Sequence, residues 1–202
     1  MNLPNKLTTS RFGFAILVLF FLLSSFPGAK TLALVFFVIA ALTDALDGHL
    51  ARTKYGTTNF GKLMDPLADK VLVAAVFVGL VSLRPQFYFP NLPWVPASMV
   101  VLILSREFMV TGLRLLAVEQ GNVIAAGQLG KWKTIVQMAT LVLALLSLAL
   151  LEDLLRNSDD TTLKHVEFAV RWLLWSFMSI ATFLTVLSGW EYFAKNKEVF
   201  HA

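Results

Sequence analysis

Four aspartates, Asp44, Asp47, Asp65 and Asp69, stand within the stretch Thr43 to Lys70 of an otherwise largely apolar chain. An ionised side chain at the centre of a membrane-spanning helix costs roughly 2.5 to 3.5 kcal/mol. Four of them in one stretch need a compensating charge, so a fold for this chain has to bring something cationic among them. The composition makes the constraint severe. Of 202 residues, 57% are hydrophobic and 15% charged, with a mean hydropathy of +0.70, which describes a chain whose solvent is a bilayer.

The chain carries no cysteine. That excludes a disulfide framework, thiolate metal sites and a cysteine nucleophile. A net charge of +4 speaks to orientation and anionic lipid, and no basic run with interleaved aromatics suits a nucleic acid. The first apolar run, Phe12 to Phe26, follows Lys6 and Arg11 and so resembles a signal peptide, but five further apolar segments make it the first span of a polytopic bundle.

Taken in order, the polar opening Met1 to Arg11 is expected to be a short interfacial segment, with Pro4 and Thr8-Thr9-Ser10 as turn formers. Helix 1 follows, to about Phe26, where Pro27-Gly28 breaks it. Helix 2 is expected over Thr31 to Arg52, a polar loop over Thr53 to Asn59, and helix 3 from Phe60 to Leu83 with Pro66 in its early turns. Arg84 to Trp94, with Pro85, Pro90, Pro93 and four aromatics, suits an interfacial loop in an aromatic belt, as do Trp172, Trp175, Trp190 and Tyr192. Helices 4, 5 and 6 are expected over Pro96 to Glu119, Lys131 to Leu151 and His165 to Tyr192.

The fold class is therefore all-α integral membrane, with six transmembrane helices and residues 1–202 as one domain. With the N-terminus inside, Lys6, Arg11, Arg52, Lys54, Lys62, Lys70, Arg106, Arg114, Lys131, Lys133, Lys195 and Lys197 fall toward the cytoplasm. Lys30, Arg84, Arg156, Lys164 and Arg171 fall opposite, so the balance of basic residues puts both termini in the cytoplasm.

Residues three or four apart share a helix face, so Asp44 pairs with Asp47 and Asp65 with Asp69. Two such helices meeting would form a cage of oxygen ligands suited to hard divalent cations such as Mg²⁺ or Mn²⁺, with enough negative charge for two. Paired ions can clamp a pyrophosphate. Gly48, Ala51 and Gly61 lie beside the aspartates, where missing side chains let a flat ligand approach the backbone, although small residues also favour close helix packing. A plainer reading makes the aspartates partners of Arg52, Lys54, Lys62 and Lys70.

The pattern D-x2-D-G-x2-A-R-x8-G-x3-D-x3-D, met here at Asp44, Asp47, Gly48, Ala51, Arg52, Gly61, Asp65 and Asp69, resembles the signature of the CDP-alcohol phosphotransferase family. The resemblance implies a six-helix, usually homodimeric membrane fold and transfer of a substituted phosphoryl group from a CDP-linked donor to an alcohol, releasing CMP. By it, the four aspartates would bind two divalent ions, Asp69 would also act as general base, and Gly48, Ala51, Gly61 and Arg52, with Asp44 and Asp47, would serve the nucleotide. His49 reads as a spacer.

Arg106, Arg114, Lys131 and Lys133 are expected in the same cytoplasmic half as the aspartates and suit an anionic acceptor, since guanidinium forks match phosphate. Arg106 with Glu107, inside V-L-I-L-S-R-E-F-M-V, would also serve as mutual neutralisation or as counter-ions to the aspartates. The pieces P-N-K-L-T-T-S-R, S-R-E and G-K-W-K-T resemble the branch of the family that uses CDP-diacylglycerol as donor and glycerol 3-phosphate as acceptor. That implies phosphatidylglycerol phosphate as product, a bacterial inner-membrane location and an active site facing the cytoplasm. Another acceptor within the family, as in a cardiolipin, phosphatidylserine or phosphatidylinositol phosphate synthase, is the near alternative. A divalent-cation transporter is the distant one, and it gives the small residues no role.

Overall fold

The computed structural model describes residues 3–54, 59–83, 93–119, 127–155 and 157–195; among these, the side chains of 3–9, 44–54, 59–66, Asp69 and Glu119 lie outside the description. The chain is all-helical over the described residues. Six helices follow one another: α1 (Leu3–Leu23), α2 (Ala29–Lys54), α3 (Asn59–Ser82), α4 (Ala97–Glu119), α5 (Gln128–Leu148) and α6 (Asp160–Lys195). A π-helical turn, Ala149–Leu154, extends α5. Expected loops at 55–58 and 84–92 lie outside the described residues.

Several boundaries differ from the sequence reading, three of them at helix starts. The expected interfacial segment is instead part of α1, which starts at Leu3. Pro4 does not prevent this, because the first turn of a helix has no use for its amide proton. Helix α6 starts five residues early because Asp159 caps it: the Thr162 amide donates to Asp159 Oδ2 at 3.0 Å and the Thr162 hydroxyl to Oδ1 at 2.8 Å. Helix α5 begins at Gln128, after an extended Gly127.

Packing follows the apolar faces. Val18 and Leu22 of α1, Phe37 of α2, Phe77 and Leu80 of α3, Ile103 of α4, Leu141 and Leu145 of α5, and Met178 of α6 are completely buried. Phe21 stacks on Phe36 with ring centroids 5.3 Å apart, which joins α1 to α2. Helices α1 and α3 approach so closely at Gly79 that a β-carbon there would lie 2.7 Å from Leu22 Cδ2. Outward-facing Ile16, Phe20, Val101, Trp132, Phe183 and Trp190 are all exposed, an apolar surface that suits lipid rather than water.

Two aromatic assignments are corrected. Trp94 is completely buried rather than set in an interfacial belt, with the Arg171 guanidinium 5.1 Å from its ring centre. Tyr192 is likewise buried, under Arg114. Trp172 and Trp190 are exposed, as an aromatic belt requires.

Among the described residues, the continuous helices Gln128–Leu154 and Asp160–Lys195 are long and apolar enough to cross a membrane. Shorter apolar stretches occupy Ser10–Leu23, Ala29–Thr43 and Lys70–Ser82. Helix α4 carries Arg106, Glu107 and Arg114 in its interior, which dilutes its apolar character.

At the end of the bundle away from the aspartates, polar side chains close the α1–α2 turn. Gly28, at φ +85°, makes the reversal that a β-carbon would strain. Lys30, buried, donates to the carbonyls of Leu22 at 2.7 Å and Ser24 at 2.8 Å, and pairs with Glu152 at 3.4 Å. Asp153 accepts the amides of Gly28 and Thr31 at 2.9 and 2.7 Å, and the Thr31 hydroxyl at 2.8 Å. The π-helical turn, closed by the Leu155 amide on the Leu150 carbonyl at 2.8 Å, carries both acidic residues.

Two expectations follow from this packing. Asp153→Ala removes the N-terminal cap of α2 and should cost about 2 kcal/mol, read as a lowered unfolding midpoint in detergent. The Thr162 hydrogen bonds hold the Asp159 carboxyl below the usual aspartate range. Its contribution is therefore present above that range and is lost as pH falls through the lowered value. Acidification through the lowered value should reduce the protection of the Thr162 amide, read as its exchange relative to the intrinsic rate at each pH, and leave that protection unchanged in Asp159→Ala.

Candidate functional site

Helices α2 and α3 run unbroken through the two aspartate pairs. By helical register, Asp44 and Asp47 share one face of α2, and Asp65 and Asp69 one face of α3. The side chains of these four, and those of Gly48, Ala51, Arg52 and Gly61, lie outside the described residues. Among the described residues, no three His, Cys, Asp or Glu side chains gather as a metal site. The donor set nonetheless fits hard divalent ions: four carboxylates in two register pairs supply only oxygen ligands.

One helical turn further along both helices lies a cavity of about 210 Å³. Ala40 and Ala41 line it from α2, Lys70, Leu72 and Val73 from α3. Ala40 is four residues from Asp44, and Val73 four from Asp69, so the cavity abuts both carboxylate pairs by register. Arg11 of α1, Glu107 of α4, and Lys133, Thr134, Gln137 and Met138 of α5 complete its walls.

Glu107 organises the charged side of this cavity. It is buried, and its carboxylate meets three cations from three helices. Lys70 pairs with Oε2, Lys133 with Oε1, and Arg106 Nη1 approaches Oε1 at 3.3 Å. A buried carboxylate survives only with such partners. The three cations and one anion sum to +2 among themselves, and Lys70 and Arg11 each make further contacts outside this cluster.

The four basic residues expected to hold an acceptor phosphate are not all in the cavity wall. Lys133 lines the cavity, and Arg106 joins it through Glu107. Arg114 lies farther along α4 with its guanidinium 5.6 Å from the Tyr192 ring centre, a cation–π contact to α6. Arg106 also runs against α6, where a β-carbon on Gly189 would lie 3.2 Å from its Cγ. Lys131 is exposed and absent from the cavity wall.

Sequence reasoning passed over Arg11, Lys70 and Gln137 as site residues. Arg11 entered as a basic residue on one side and within the P-N-K-L-T-T-S-R piece, and Lys70 as a basic residue and a partner of the aspartates, directly after Asp69. The available signal for Gln137 was a lone amide in the apolar run from Ile135 to Ala139. Glu107 was weighed as a neutralising partner for Arg106, a contact the structure contains, but not as the meeting point of three cations.

A bilayer-suited helical bundle with a basic cavity one turn from two carboxylate pairs has the build of a membrane transferase for phosphorylated substrates. The family model described as CDP-alcohol phosphatidyltransferase matches residues 1–188. The chain belongs to that family. A protein of Bacillus subtilis (strain 168), named CDP-diacylglycerol--glycerol-3-phosphate 3-phosphatidyltransferase, is 40% identical over 98% of this chain and 96% of its own length. Proteins of the same name from Rickettsia bellii and Cereibacter sphaeroides are 34% and 32% identical, over 98% and 96% of this chain and 97% and 95% of their own lengths.

The ion cluster can be tested apart from any activity. Glu107→Leu strands two lysines and an arginine without their carboxylate and should destabilise the protein by about 3 kcal/mol or more. Lys133→Met leaves Glu107 with Lys70 and Arg106 and should cost clearly less. Equal thermal stability of the two variants in detergent would remove Glu107 from the centre of the cluster.

Proposed function

We propose that this protein transfers the phosphatidyl group of CDP-diacylglycerol to glycerol 3-phosphate, giving phosphatidylglycerol phosphate and CMP. The observation that carries the reading to this acceptor is the basic cavity, with Lys70 and Lys133 in its wall, one helical turn from both aspartate pairs. A neutral alcohol needs no such charge, whereas the phosphate of glycerol 3-phosphate does. The near-full-length similarity to relatives bearing that enzyme name supports it.

Asp44, Asp47, Asp65 and Asp69 would hold two divalent ions, Mg²⁺ or Mn²⁺. Bound there, such ions neutralise a pyrophosphate and stabilise a departing phosphate. Gly48, Ala51, Gly61 and Arg52 would border the cytidine, with Asp44 and Asp47 at the same end. Lys70 and Lys133 bind the acceptor's phosphate, Arg106 sets their arrangement through Glu107, and Arg114 and Lys131 draw the anion toward the cavity.

In the reaction, the C1 hydroxyl oxygen of glycerol 3-phosphate forms a bond to the β-phosphorus. The bond from that phosphorus to the bridging pyrophosphate oxygen breaks, and CMP leaves with the electron pair. Asp69 accepts the hydroxyl proton; its value is position first, because neighbouring cations lower its basicity. Holding donor and acceptor in line supplies much of the acceleration.

The same reading makes residues 1–202 one domain of six spans, homodimeric, in the bacterial inner membrane, with both termini and the active site on the cytoplasmic side. Its support is the bias of basic residues and the lipid-suited surface. Because the chain has no cysteine, single introduced cysteines report sidedness directly. Ala194→Cys should react with an impermeant reagent only from the cytoplasm and Asn157→Cys only from outside; the reverse pattern would invert the topology.

The activity test is CMP release from CDP-diacylglycerol in the presence of Mg²⁺ or Mn²⁺, with and without glycerol 3-phosphate. Release should depend on glycerol 3-phosphate and vanish in Asp69→Asn. Turnover with serine, an inositol phosphate or phosphatidylglycerol instead would reassign the acceptor. Ion flux without CMP release would point to a transporter.

A further inference from the structure

Gln137 exchanges no proton and no bond in the transfer step. It is only 4% exposed, it lines the cavity, and its Oε1 is sealed from solvent without a hydrogen-bond partner. Other buried polar groups on α5 behave differently. The Thr140 and Ser147 hydroxyls donate to carbonyls one turn back on their own helix, at 2.7 and 2.5 Å. Buried polar atoms are nearly always paired, because leaving one unpaired sacrifices its hydration without return. An orphaned acceptor in a cavity wall therefore marks a place where a ligand brings a donor.

The donor's character follows from the neighbours. Lys133 precedes Gln137 by four residues, so the two stack on one face of α5 with β-carbons about 5–6 Å apart. Lys70, Lys133, Arg11 and Glu107 make the charged part of the cavity wall, while Ala40, Ala41, Leu72, Val73 and Met138 make its apolar part. A ligand that places a phosphate at the lysines thus extends one helical turn along α5 before meeting the amide oxygen. The group it presents there has to be a hydrogen-bond donor without charge, since a cation would face Lys70 and Lys133.

We infer that Gln137 determines acceptor specificity by accepting a hydrogen bond from the secondary hydroxyl of a phosphorylated glycerol while the lysines hold its phosphate. The inference rests on the acceptor reading above and deepens it. In glycerol 3-phosphate the C1 hydroxyl has to be free to attack phosphorus, which leaves the C2 hydroxyl for Gln137. That hydroxyl lies on the carbon next to the phosphate ester carbon, so phosphate and donor are separated by a short span that one helical turn matches. A site built around a hydroxyl rejects the analogue lacking it, because the protein's acceptor then stays buried and unpaired.

The test compares kcat/KM for glycerol 3-phosphate and for 3-hydroxypropyl phosphate, which keeps the attacking hydroxyl and the phosphate but lacks the C2 hydroxyl. The wild-type protein, in detergent with CDP-diacylglycerol, should favour glycerol 3-phosphate roughly 10- to 100-fold. Gln137→Leu should bring glycerol 3-phosphate down to the level of the analogue, leaving the analogue's own kcat/KM and the KM for CDP-diacylglycerol unchanged. Equal use of the two acceptors by the wild type overturns the inference without recourse to any variant. So does a variant that keeps the preference, or one that loses both acceptors in parallel. Absence of CMP release with either acceptor in the wild type has a different meaning: it removes the underlying acceptor reading, and this inference with it.

Discussion

The carboxylate of Glu107 ties α3, α4 and α5 together at the level of the cavity. Lys70, Arg106 and Lys133 come from three helices and carry charges that would repel one another in a low-dielectric interior. A single buried anion converts that repulsion into a junction. It does so with one carboxylate for three cations, which leaves these four side chains an excess of positive charge among themselves. Structure and electrostatics are thus set by the same atom pair, Oε1 and Oε2 of one side chain.

The fold was legible in the sequence because its elements are written locally. Apolar runs of near-spanning length, the Pro27-Gly28 break and the paired aspartates each depend on a few consecutive residues. The errors were local too. A proline in a first turn does not stop a helix, and an aspartate cap starts one earlier than the apolar run suggests. The assignment of Trp94 and Tyr192 to lipid interfaces failed for another reason. An aromatic ring beneath an arginine looks, in sequence, the same as one among headgroups, and only the packing of α4 and α6 distinguishes them.

The candidate site was legible only in part. The aspartate pattern fits within 26 consecutive positions: its spacing makes two register pairs, and its match to a family signature is a resemblance. The cavity draws residues from five helices, and nothing in the sequence says that position 70 meets position 107 or that 107 meets 133. Basic residues could be counted but not sorted. Lys133 and Lys131 are neighbours on α5, yet one is buried at the carboxylate and the other is exposed, a difference of helical phase that depends on where α4 lies.

The opposite end of the bundle is closed by caps. Lys30, Glu152, Asp153 and Thr31 satisfy the exposed backbone of the α1–α2 turn with side chains supplied by the protein itself. That turn therefore carries its own hydration. Most loops at a membrane surface are fixed in depth because their amides and carbonyls need water or headgroups. This one has those groups paired by the protein's own side chains, so its backbone hydrogen bonds stay the same whether water, headgroups or detergent surround it.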